Sequence, residues 1–214
     1  MDNLIYILFV SVSVPIMLMA FLVEKKSRLP IIFILVGIFV SVFASEVNGL
    51  LVGMLSMDIY SITTIVAPVS EEVVKALPVL YYAIVISDKK EKLFTASMAI
   101  GIGFAVLENA FYLLSYPNFS MLSAVIRAFG AGLMHGMCTL IVGVGISFVK
   151  KKRKLFAVGT FGLLSAAIVY HGIYNILIQS EYTIIGALLP IVTYIPFFIW
   201  RCKIKNRRSK TETN

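Results

Sequence analysis

Apolar residues run almost unbroken through seven stretches, 3–23, 29–55, 59–86, 93–116, 121–149, 155–179 and 183–200, and polar residues collect in the gaps between them. A helix crosses ~30 Å of hydrocarbon with ~20 mostly apolar residues, so each stretch predicts one span. The second, third and fifth exceed that length and are expected to tilt, kink or run past the headgroups. Only helices and closed barrels satisfy their backbone groups in lipid, and these runs are too long and continuous for barrel strands. The predicted fold is therefore all-α, a polytopic membrane helical bundle of about seven transmembrane helices. Residues 1–200 read as a single integral membrane domain. Residues 201–214 read as a basic cytoplasmic tail whose polar composition predicts no fixed structure.

The gaps set the expected orientation. Lys25, Lys26 and Arg28 follow the first stretch, Lys89, Lys90 and Lys92 the third, and Lys150, Lys151, Lys152, Arg153 and Lys154 the fifth. Arg201, Lys203, Lys205, Arg207, Arg208 and Lys210 follow the seventh. The alternate gaps, near 56–58, 117–120 and 180–182, have no Lys or Arg and carry Asp58 and Glu181. Basic loops stay cytoplasmic, which places the N-terminus outside and the C-terminus in the cytoplasm. Met1-Asp2-Asn3 offers no basic residue before the first stretch, so that stretch is expected to be a retained span and not a secretory signal.

Composition agrees with a cell-membrane location. The 214 residues are 59% hydrophobic and 14% charged, with a mean hydropathy of +0.94, too little charge for a water-soluble surface. The net charge of +8 sits in the short basic runs. That placement predicts contact with anionic headgroups and argues against nucleic acid. Cys138 lies in an apolar stretch and Cys202 in the tail, so neither a structural disulfide nor a paired-cysteine zinc site is expected.

Ionisable groups within spans are costly, about 2.5–3.5 kcal/mol each on insertion scales, yet here they cluster. The third stretch carries Glu71, Glu72 and Lys75; the fourth, Glu108 and Asn109; the fifth, Arg127 and His135; the sixth, His171 and Asn175. Glu71 with Lys75 and His171 with Asn175 are i,i+4 pairs, so each helix offers one polar stripe. The stripes are best satisfied by facing one another inside the bundle. Glu71, Glu72 and His135 fall near mid-span, and Glu108 and His171 in the outer half. Each feature has a plain structural reading: an intrahelical ion pair at Glu71–Lys75, a partnership of Glu108 with Arg127, a histidine bonding a neighbouring helix. Taken together they exceed what stability needs, because apolar residues would pack at lower cost. Paired carboxylates with two histidines suit activation of water, one carboxylate acting as base and a His or Asn donating to a developing oxyanion. The same groups suit a divalent metal such as zinc, with Glu72, Glu108, His135 and His171 as candidate ligands. No His-Glu-x-x-His occurs.

Glu-Glu-x-x-Lys at 71–75, Phe-x-x-x-Glu-Asn at 104–109, the mid-span His135 and His-Gly-x-x-Asn at 171–175 resemble the PrsW family of intramembrane proteases, itself related to the CAAX prenyl protease and bacteriocin-processing group. The resemblance covers roughly 65–180. It implies Glu71 and Glu72 as the water-activating pair, His171 as the next most essential residue, and Lys75, Glu108, Asn109, His135 and Asn175 as supporting or ligand positions. It implies a single-span membrane protein as substrate, such as a membrane-anchored anti-sigma factor, cut near the extracytoplasmic side. The wider group often has His where this chain has Glu108, and its last motif can end in Asp where this chain has Asn175.

Two other readings compete. A proton- or ion-coupled transporter would also place Glu, His and Lys in spans, with Pro68 and Pro78 marking broken helices, but it needs a polar path to both faces. A non-enzymatic membrane partner would tolerate loss of Glu72 and His171.

Overall fold

The computed structural model describes residues 4–115 and 120–212, and these form seven helical runs with no strand among them. Helix α1 is Leu4–Leu22, α2 is Arg28–Leu55, α4 is Lys90–Ser115, α5 is Met121–Ile146, α6 is Arg153–Ile178 and α7 is Thr183–Glu212. The third run, α3, joins four pieces over 59–86: Ile59–Ser61, a π-helical Ile62–Val66, Ala67–Tyr81 and a π-helical Tyr82–Ile86. The seven runs fall on the seven apolar stretches. By length and composition α1, α2, α4, α5 and α6 suffice to cross a membrane. The interruptions in α3 leave no α-helical piece longer than 15 residues, and the apolar part of α7 is the shorter Thr183–Ile199. The basic segment after residue 200 continues α7 to Glu212, where its composition predicted no fixed structure.

Local chemistry explains the breaks. Ser56, the one described non-glycine residue at positive φ, ends α2 in a left-handed turn at φ 49°. Asp58 then caps α3, accepting from the Ser61 backbone N–H at 3.0 Å and the Ser61 hydroxyl at 2.6 Å; these bonds hold its carboxyl below the usual carboxylate range. Pro68 follows the first π-helical piece. In π spacing residue 68 would donate to the Thr63 carbonyl, but proline has no N–H. Asn175 of α6 supplies the missing donor to that carbonyl at 2.8 Å. The broken start of α3 is thus stitched to α6.

The bundle centres on α4, which packs along α2 on one side and α5 on the other, with α6 against α5. Helices α1 and α7 cover the flanks and leave most of their apolar side chains exposed, as lipid-facing helices do. Tyr6 of α1 donates to Glu46 of α2 at 2.5 Å. An apolar core fills the half of the bundle beyond Lys75, with Val79, Leu93, Ile100, Met134, Cys138 and Ile146 among its buried members. Close approach of α4 to its neighbours depends on small residues. A Cβ on Gly101 would run into the backbone carbonyl of His135 and the Cα of Gly136. Backbone cannot swing aside as a flexible side chain does. Gly101→Ala is therefore expected to lower the stability of the purified protein by about 1–3 kcal/mol, read as a fall in its thermal midpoint in detergent. An unchanged midpoint would show that the α4–α5 contact is looser than described.

Candidate active site

The ionisable residues of α3, α4, α5 and α6 meet in one buried cluster at the level of the Glu-Glu-x-x-Lys segment. Helical spacing puts Glu72 and Lys75 on the inner face of α3. The Lys75 ammonium donates to Glu72 Oε1 at 2.5 Å and to His135 Nδ1 at 2.8 Å, and lies 4.5 Å over the Phe104 ring. His135 Nε2 lies 2.7 Å from Glu108 Oε2, and Glu108 Oε1 accepts from Arg127 at 3.3 Å. His171 Nδ1 lies 2.8 Å from Glu72 Oε1. The two imidazoles stand edge to face with centroids 4.8 Å apart. Lys75 is fully buried, and Glu72, His135 and His171 are each 1% exposed.

Donor and acceptor rules assign the protons. An ammonium only donates, so His135 Nδ1 must accept and the neutral ring carries its hydrogen on Nε2, which donates to Glu108. An ionised carboxylate only accepts, so His171 carries its hydrogen on Nδ1 and gives it to Glu72. Each histidine is thereby held by one carboxylate, the arrangement that orients imidazoles at metal centres. His171 Nε2 keeps a lone pair and faces Glu71 Oε2 at 3.9 Å, too far for a hydrogen bond.

Glu71 stands apart electrostatically. Glu72 has Lys75 as counter-ion and Glu108 has Arg127. Glu71 Oε1 instead accepts from neutral Asn48 of α2 at 3.2 Å, and Asn48 is fixed in turn by the Ser70 hydroxyl. Glu71 Oε2 and Glu72 Oε2 are buried oxygens with no hydrogen-bond partner among the described residues. An uncompensated buried carboxylate opposite an imidazole lone pair calls for a cation or a proton. One ligand atom each from Glu71, His135 and His171 lie within 4.8 Å of one another. A carboxylate with two histidines is a donor set that zinc accepts. The residues present therefore fit a divalent metal.

This set differs from the sequence-derived ligands Glu72, Glu108, His135 and His171 in gaining one carboxylate and losing two. Glu71 joins the two histidines, while Glu72 and Glu108 spend their bonded oxygens orienting those histidines. Lys75 lies within the cluster as expected. Asn175 serves the α3 backbone, and no hydrogen bond joins Asn109 to the cluster among the described residues, although Asn109 is buried beside Glu108 with its carbonyl oxygen unpartnered. Asn48 was missed. Its neighbours Ser45, Glu46 and Gly49 make the segment read as a polar helix end at the membrane surface. An asparagine inside the second apolar stretch was the available signal.

The chain matches the family described as PrsW family intramembrane metalloprotease over residues 24–201, a span that takes in α2 and the apolar part of α7 as well as the four motif-bearing helices. No curated protein and no solved structure matches it.

Proposed function

The chain belongs to the PrsW family of intramembrane metalloproteases, and from that premise we propose how its buried cluster cuts a peptide bond. The protein is a multi-pass membrane protein and a membrane-embedded peptide hydrolase. The observation that carries the mechanism is Glu71 Oε2 facing His171 Nε2 at 3.9 Å with His135 alongside. Glu71, His135 and His171 would hold the metal, zinc being the ion best suited to the set. When bound, it supplies Lewis-acid polarisation of water and of the scissile carbonyl. Glu72 and Glu108 orient the two imidazoles; His171 Nε2 presents an open lone pair, whereas the His135 Nδ1 lone pair accepts from Lys75 and would have to be released by it for His135 to join the metal. Lys75 ties α3 to α5 through Glu72 and His135. The partner-free Oε2 of Glu72 receives the proton of the attacking water and returns it to the leaving amine.

The substrate in this proposal is a single-span membrane protein, with a membrane-anchored anti-sigma factor as the class indicated by the family motifs. It is cut near the extracytoplasmic side. The side chains of Glu71 and Glu108 form the exposed edge of the cluster, at 10% and 21%, and with the basic loops cytoplasmic Glu108 falls in the outer half of its span, which supports that side. The opposite half argues against a proton or ion relay. The apolar core closes it, and its buried hydroxyls on Ser97, Thr139 and Ser147 each donate to a backbone carbonyl three or four residues earlier in the chain. A relay would need acceptors strung between them.

Metal content of the purified protein, measured by mass spectrometry alongside cleavage of a single-span substrate, tests the proposal. About one zinc per chain, with cleavage lost on chelation and regained on zinc addition, is the expected outcome. Cleavage that survives complete removal of metal would reassign the water to the carboxylates alone. Orientation is tested separately. In a background lacking Cys138 and Cys202, a cysteine placed in 150–154 is expected to react only after the membrane is opened, and one placed in 180–182 from outside intact cells. The reverse pattern would invert the topology.

A further inference from the structure

We propose that the Tyr174 hydroxyl and Arg127 Nε form a substrate subsite that receives a backbone carbonyl oxygen of the peptide beside the bond being cut; the inference rests on the hydrolase reading above. An extended peptide brought into a membrane interior arrives with unpaired carbonyls, and each one left without a donor weakens binding. Most donors at the cluster are engaged: Lys75 with Glu72 and His135, Asn48 with Glu71, Asn175 with Thr63, and the imidazole N–H groups with Glu72 and Glu108. Arg127 Nε and the Tyr174 hydroxyl are buried at the site yet have no partner among the described residues. Tyr174 is 1% exposed, and a tyrosine that deep ordinarily finds a bond for its hydroxyl.

The two donors share a location. The Tyr174 hydroxyl lies so close to Gly130 that a Cβ there would stand 2.8 Å from it. Arg127 is one turn before Gly130 on the same face of α5. The Tyr174 hydroxyl lies within the electrostatic reach of both Arg127 and Glu108. Arg127 is also the partly exposed edge of the cluster, stacked 3.7 Å from the Tyr112 ring and ion-paired with Glu108. That pairing decides the ligand. With its charge already compensated, Arg127 gains little from an anion, whereas a neutral carbonyl uses the free N–H without disturbing the ion pair.

The test is Tyr174→Phe in the full-length protein, with Gly130→Ala as a second variant that keeps the hydroxyl but pushes it aside. Removing an oxygen that has no partner should leave the thermal midpoint unchanged, while one lost hydrogen bond to substrate weakens binding about tenfold. Both variants are expected to raise KM for a single-span substrate about tenfold with kcat within about twofold, and Tyr174→Phe to weaken retention of the same fluorescently labelled substrate by a similar factor. Wild-type KM and wild-type retention in Tyr174→Phe would overturn the subsite, and so would a lowered midpoint that accounts for the loss. Absence of cleavage by the wild-type protein would instead count against the hydrolase reading. The retention measurement then still decides whether Tyr174 contacts the peptide.

Discussion

Glu71→Gln is expected to slow cleavage of a single-span substrate by at least ~10²-fold, with protein abundance and thermal midpoint unchanged. The amide keeps the shape of the side chain and an oxygen for Asn48, so the bond at 3.2 Å between α2 and α3 can persist. It removes the negative charge opposite His171 that a divalent metal would need. Glu72→Gln should behave differently although it is the adjacent residue. Glu72 is the counter-ion of Lys75, and both side chains are fully buried. Stranding that ammonium costs about 3–5 kcal/mol, so this variant should lose stability as well as activity. A Glu71→Gln protein that unfolds like Glu72→Gln would show that Glu71 is structural.

His171→Ala is the second large effect, an expected loss of ~10²–10⁴-fold in cleavage together with loss of bound zinc from the purified protein. His171 faces both carboxylates of the Glu-Glu pair, with Nδ1 2.8 Å from Glu72 Oε1 and Nε2 3.9 Å from Glu71 Oε2. Its removal takes away the Nε2 lone pair and releases Glu72 Oε1 on one side, while Lys75 continues to hold that oxygen. Glu108→Gln should be milder: it weakens the orientation of His135 and the pair with Arg127, whose side chain is 13% exposed and so is not stranded as Lys75 would be; loss of such an orienting carboxylate typically costs about 10–100-fold in metal affinity. Equal zinc content in His171→Ala and the wild type would remove His171 from the ligand set.

The hydrophobic pattern placed all seven helical runs because each is a long, mostly apolar stretch bounded by a short polar gap. It also placed Glu72, Lys75, Glu108, His135 and His171 together, since ionisable groups in separate spans have few partners other than one another. Two things escaped it. The division of labour between Glu71 and Glu72 depends on which way α3 turns, and because both glutamates and the lysine lie in one regular α-helical piece, spacing alone does not fix that rotation. Glu71 faces Asn48 and His171 while Glu72 faces Lys75, although both lie within one turn of the lysine. Asn175 looked like a cluster member because it is i,i+4 from His171. It serves a carbonyl left open by a proline on another helix, a demand that exists only once the chain is folded.

The most direct measurement is the position and rate of new peptide termini, by mass spectrometry, when purified wild-type protein and a single-span substrate share one liposome. The result expected is one cut in the extracytoplasmic half of the substrate span, slowed at least ~10²-fold in matched liposomes carrying Glu71→Gln. A substrate that stays intact with the wild-type protein, or is cut at the wild-type rate by Glu71→Gln, would contradict it.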